Sequence, residues 1–191
     1  KQEHIPDLLT SGLPAVAVRM PNHPLTTALL KQLDFPLAAP SANPFGYVSP
    51  TSAQHVEDQL GTKIPYILDG GPCSIGIEST IIGFDEQEKP IIYRLGGKKI
   101  EDIEAVVGKV KLKINHSSDP MAPGMLKSHY APSKRVIIGK LDMLIERFKN
   151  QNFGIISFHK KFNEISEEKQ IVLSPSKDLS EAARNLFSAL R

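Results

Sequence analysis

Apolar residues recur along the chain with two different periods. Leu179, Ala182, Ala183, Leu186 and Leu190 follow the helical repeat and predict an amphipathic helix that starts after Asp178 or Ser180. The same repeat predicts helices over 25–33, 52–60, 102–107 and 141–148. Pro21 and Pro24 lead into the first of these, and Thr51 or Ser49 with Gly61 bound the second. Short apolar runs at 15–19, 37–39, 66–68, 79–84, 91–94, 136–138, 153–158 and 171–173 read as strands. Residues 85–90 read as a hairpin-like connection, and Asp69-Gly70-Gly71-Pro72 is a strong turn signal. Strands that alternate with helices predict the α/β class, with a parallel or mostly parallel sheet in the second half.

The texture changes at 115–124, which is polar and rich in Pro, Gly and Ser. Met125, Leu126, His129 and Tyr130 follow at once. A plain spacer would not carry them, so the segment reads as a linker that also touches something. The predicted organisation is a first unit at 1–114, a linker or lid at 115–134 and a small second unit at 135–191. Both ends look cut. The chain enters a buried-looking strand almost at once, and its last helix stops without a Gly, Asn or Pro signal.

Composition excludes several classes. The 191 residues are 40% hydrophobic with a net charge of +2, so neither a disordered tail nor a strongly basic nucleic-acid surface is indicated. Cys73 is the sole cysteine, which rules out an internal disulfide framework and suits a reducing, cytoplasmic setting. No apolar run approaches the roughly 20 residues of a membrane span.

Two segments have candidate chemistry. Ser41 and Asn43, in Ala39-Pro40-Ser41-Ala42-Asn43, sit on a turn just past a predicted strand, where ligands bind in open α/β sheets. The same residues also suit a turn with no ligand. Residues 69–80 are glycine-rich and suit either a phosphate cradle or a wide hairpin. They lack the Gly-Lys-Ser/Thr ending of a P-loop, and no helix follows as a dinucleotide fingerprint would need. Arg19 and Arg94, each at a strand exit, suit a carboxylate or phosphate, or plain solvent. The six histidines and Cys73 show no metal-ligand spacing. Cys73 reads as a free thiol, with a nucleophile as the other reading.

Taken in order, these segments resemble the threonylcarbamoyl-adenylate synthase family, the YrdC-like proteins. The resemblance rests on Val18-Arg19-Met20-Pro21, Pro40-Ser41-Ala42-Asn43, Ser49-Pro50-Thr51, Asp69-Gly70-Gly71-Pro72, Gly76-Ile77-Glu78-Ser79-Thr80 and Arg94-Leu95-Gly96. Ala122-Pro123-Gly124-Met125 and Ser128-His129-Tyr130-Ala131-Pro132 are similar to the linker of the family's long form, which adds a Rossmann-like C-terminal domain. The family's opening Pro-Thr-Glu-Thr-like strand, Lys-x-Arg motif and Trp-Pro-Gly-Pro-like segment are not in the chain. The resemblance therefore implies the C-terminal portion of an open twisted YrdC-like sheet, then the linker, then an incomplete Rossmann-like domain. Such a fragment is expected to be weak or inactive alone.

What the family implies is synthesis of threonylcarbamoyl-AMP from L-threonine, bicarbonate and ATP, with Mg2+ on the triphosphate and release of pyrophosphate. The product would go to a complex that modifies tRNA, and weak contact with tRNA itself is expected. By the resemblance, Arg19, Ala39 and Ser79 would line the threonine pocket. Ser41, Asn43, Ser49 and Arg94 would hold the nucleotide, and Tyr130 would fold over it. Ala15 stands where relatives often carry Thr. A non-catalytic RNA-binding module is the alternative, which the charge of +2 disfavours. A carbamoyl-transfer maturation enzyme that embeds this fold is a third reading, disfavoured by the linker and second unit.

Overall fold

The computed structural model describes residues 5–10, 12–113 and 131–191. A single helical turn, α1 (Asp7–Thr10), precedes α2 (Pro24–Leu30), which opens on proline where no backbone N–H is needed. α3 (Ala53–Leu60) is capped by Ser52, whose hydroxyl accepts the His55 N–H.

β1 (Ile81–Phe84) and β2 (Pro90–Arg94) form an antiparallel hairpin with an irregularity between Ile81 and Ile82. Asp85 closes its turn, since one carboxylate oxygen accepts the N–H groups of Gln87 and Lys89. α4 (Ile100–Val107) then carries the chain back, so that β3 (Lys111–Leu112) runs parallel to β2. β2 is thus the central strand, and Ile92 at its middle is 0% exposed.

In the second half, α5 (Leu141–Phe148) precedes β4 (Ile155–Ser157), and β5 (Gln170–Val172) pairs parallel to β4. A short 3-10 turn at Glu167–Lys169 lies in the connection. α6 (Leu179–Ala189) follows, capped by Asp178, which accepts the Glu181 N–H at 2.8 Å. Ile155, Phe162 and Ala182 are the buried apolar residues here. Among the described residues, no helix is long and apolar enough to cross a membrane.

Among the described residues, the open twisted sheet expected of the first unit is present only in part. The described strands make a three-stranded sheet and a separate two-stranded one. Residues 15–19, 37–39, 66–68 and 136–138 lie outside every strand, with Val18, Leu37, Tyr66, Leu68 and Ile138 exposed. An apolar run shows that a segment suits a sheet. A ladder also needs a neighbour that takes its N–H and C=O groups, and none of the described residues does so for these runs.

Candidate functional site

Three loops converge at the open end of the β1–β2 hairpin. The first runs from the Ser41 turn to the start of α3, the second is the glycine-rich stretch before β1, and the third leaves β2 at Arg94. The backbone ties them together. Cys73 N–H donates to Thr51 O at 2.8 Å, and Gly97 N–H donates to Glu78 O at 2.9 Å. Asp69 accepts the Gly71 N–H, which shapes the turn where Gly71 takes a φ of 83°.

At the junction sits a polar cluster. Ser49 Oγ, on a residue only 8% exposed, donates to Glu78 Oε1 at 2.5 Å. The other Glu78 oxygen pairs with Arg94 Nη2 at 3.3 Å. Arg94 Nε donates to the Ser79 carbonyl at 3.0 Å. Its side chain is 12% exposed, so Glu78 and the Ser79 carbonyl help fix the guanidinium in a largely enclosed setting. The structure therefore unites Ser49, Ser79 and Arg94. It adds Glu78, which the sequence reading left unassigned although it lies inside the Gly76-Ile77-Glu78-Ser79-Thr80 motif.

The other expected residues stand apart from this cluster. Arg19, Ala39 and Ser41 are exposed and make no side-chain hydrogen bond or ion pair with described residues. Asn43 serves its own loop, since Nδ2 donates to Pro44 O and Tyr47 O while Oδ1 is buried without a partner. Tyr130 lies outside the described residues. Its neighbour Ala131 bridges to Tyr47, and Ala131 N–H donates to Gly46 O at 2.8 Å. A cleft of about 350 Å3, lined in part by Ser52, Glu57, Asp69 and Pro72, flanks the glycine-rich loop and includes none of the expected residues.

Cys73 is exposed, yet partial burial of its thiol raises the pKa. That is the wrong direction for a nucleophile, which needs the thiolate. The free-thiol reading therefore fits better.

His55 has a structural role with a pH signature. Thr51 N–H donates to His55 Nδ1 at 3.2 Å, which requires that nitrogen to be unprotonated. Burial lowers the His55 pKa from 6.5, the Arg191 charge lowers it further, and Asp58 opposes both. Below pH 6.5 the unfolded chain therefore binds the proton more readily than the folded one. The contribution of His55 is complete above that pH and is lost as pH falls through the lower folded value. Urea unfolding between pH 7.5 and 5 is expected to show this loss, and His55→Gln should flatten it. Equal slopes in both proteins would remove His55 from the account.

Comparison with known proteins adds three observations. A family profile described as "Telomere recombination" matches residues 1–96, and one described as "Threonylcarbamoyl-AMP synthase, C-terminal domain" matches residues 99–191. Threonylcarbamoyl-AMP synthases of Pyrococcus abyssi and Bacillus subtilis are 40% and 35% identical, each over 100% of this chain and 58% of the relative. The crystal structure of P. abyssi Sua5 complexed with L-threonine superposes with a TM-score of 0.88 at 37% identity, covering 100% of this chain and 58% of that one. The chain thus spans under two thirds of the length of these relatives. The two profile matches correct the fragment expectation this far: both the N-terminal and the C-terminal family domains are represented, over residues 1–96 and 99–191. Profiles for both domains match, and between them they take in nearly the whole chain.

Proposed function

Since the chain belongs to the Sua5/YciO/YrdC family, we propose that it acts as a threonylcarbamoyl-AMP synthase. The observation that supports this most is the 40% identity, across 100% of the chain, to a relative that carries that name. In the proposed reaction the threonine amine takes up carbon dioxide, supplied by bicarbonate, and becomes a carbamate. A carbamate oxygen then bonds to the α-phosphorus of ATP as the bond to pyrophosphate breaks. Little covalent chemistry falls to the protein, which must position two anions and offset their charge.

Arg94 suits that task. Glu78 and the Ser79 carbonyl fix its fork, so it meets the phosphates without reorganising. Ser49 orients Glu78 and thereby Arg94. Ser41 contributes a hydroxyl from the exposed turn, and Asn43 holds that turn in shape. By the family resemblance, Arg19 is the cation for the threonine carboxylate, Ala39 and Ser79 belong to the same pocket, and Tyr130 is the residue for the nucleotide side. Mg2+ arrives on the triphosphate and offsets its charge. Among the described residues no group of three or more His, Cys, Asp or Glu could hold a metal ion.

The product is a mixed anhydride of a carbamate and a phosphate, reactive toward amines. A transfer complex that puts it onto tRNA in the cytoplasm is its natural consumer. The test is pyrophosphate release with ATP and Mg2+, with L-threonine and bicarbonate omitted in turn. Release that needs both supports the reading. Release indifferent to threonine overturns it, and salt-sensitive tRNA binding without threonine binding would favour an RNA-binding module.

A further inference from the structure

Arg191 joins the two halves of the chain at the cluster. Its Nη1 donates to the Val48 carbonyl and its Nη2 donates to the His55 carbonyl at 3.0 Å. Val48 is 2% exposed and directly precedes Ser49, while His55 lies in the first turn of α3. The two carbonyls bracket the segment that holds Ser49, Thr51 and the Ser52 cap. A planar guanidinium spans two acceptors at once, which a single ammonium does not.

A second contact is independent of the first. Gly76 is buried with a φ of 75°, and a β-carbon placed on it would overlap the backbone of Arg184 in α6. Gly76 stands two residues before Glu78. A cleft of about 370 Å3, lined by Ser74 on one side and by Asp178, Glu181 and Arg184 on the other, marks the same junction. α6 and Arg191, two residues past its end, therefore touch both loops that supply Ser49 and Glu78 to the cluster.

We propose that Arg191 is a positioning residue for the ATP side of the site: its fork fixes residues 48–55, keeps Ser49 on Glu78, and makes nucleotide affinity depend on the docking of α6. This rests on the reading of Ser49 and Arg94 as nucleotide-side residues. The test uses Arg191→Ala and Arg191→Lys in the whole protein, with amide hydrogen exchange and with calorimetric titration of ATP–Mg2+ and, separately, of L-threonine. In Arg191→Ala, exchange over 48–55 is expected to rise about tenfold while β1 and β2 are unchanged, the scale of losing a charge-assisted hydrogen bond. ATP should bind about five- to tenfold more weakly with threonine affinity unaltered, as follows when an ordering cost moves into the binding step. Arg191→Lys should restore only part of both. Unchanged exchange overturns the clamp. Faster exchange with unaltered ATP affinity, or an equal loss for ATP and threonine, reduces Arg191 to a structural tie and overturns the proposal. Failure of the unaltered protein to bind ATP would instead refute the synthase reading, and this proposal with it.

Discussion

Arg94→Ala is expected to lower threonine-dependent pyrophosphate release by about 10²- to 10³-fold, the usual loss when one fixed donor to developing charge is removed. The guanidinium is held at Nε by the Ser79 carbonyl and at Nη2 by Glu78, so its direction is set before substrate arrives. Truncation also leaves Glu78 without this cation. Its half-buried carboxylate would then keep only the Ser49 hydroxyl among these contacts, so a stability loss of about 2 kcal/mol should accompany the change. The two effects separate in Arg94→Lys. A lysine restores positive charge but cannot serve both anchors, so stability should return further than turnover. Pyrophosphate release and urea unfolding of both variants check this. If Arg94→Ala stays within about threefold of the unaltered protein, Arg94 is no part of the phosphate machinery.

How much of this was legible in the sequence depended on whether a signal was local. The period of 141–148 predicted α5 with the bounds it has, because an amphipathic helix forms its own hydrogen bonds. The β1–β2 hairpin was legible for a similar reason, since its two strands are neighbours in sequence and Asp85 builds the turn between them. Runs such as 15–19 and 66–68 depend on a distant partner strand, which no local pattern reveals.

The cap of α3 shows the same limit on a smaller scale. Ser49, Thr51 and Ser52 all offer a hydroxyl, and the sequence favoured the first two. Tertiary contacts decide otherwise: Ser49 is claimed by Glu78 and Thr51 by His55, and Ser52 remains to cap. The roles carried over from the family covered Ser49, Ser79 and Arg94 but not Glu78, whose role appears only once β1 and β2 bring residues 78 and 94 together. For Arg19 and Ser41 the sequence supplies candidates by type, and their exposed positions give the structure nothing to add through contacts.

Gly96→Ala should be among the most damaging of the small substitutions, because an added β-carbon meets backbone rather than side chain. It would overlap the Glu78 carbonyl oxygen, the Ser79 carbonyl carbon and the Thr80 nitrogen. Side chains can turn aside, but these atoms belong to the segment that enters β1 and accept the Gly97 N–H at Glu78 O. Relief requires the loop after Arg94 to separate from residues 78–80. That breaks the hydrogen bond and shifts Glu78 and Ser79, which anchor Arg94. A loss of about 3 kcal/mol in unfolding free energy is expected, at the upper end for forced overpacking. Turnover should fall by at least about tenfold even where the variant is fully folded, since sub-ångström displacement of a fixed donor is costly. Gly139→Ala is the control. There the added carbon finds only the Leu144 side chain, at 3.4 Å, which is an ordinary contact. Its effect should stay within about 0.5 kcal/mol. If urea unfolding and pyrophosphate release show the two alanine variants to be alike, the close approach of the two motifs at Gly96 is not what holds Arg94 in place.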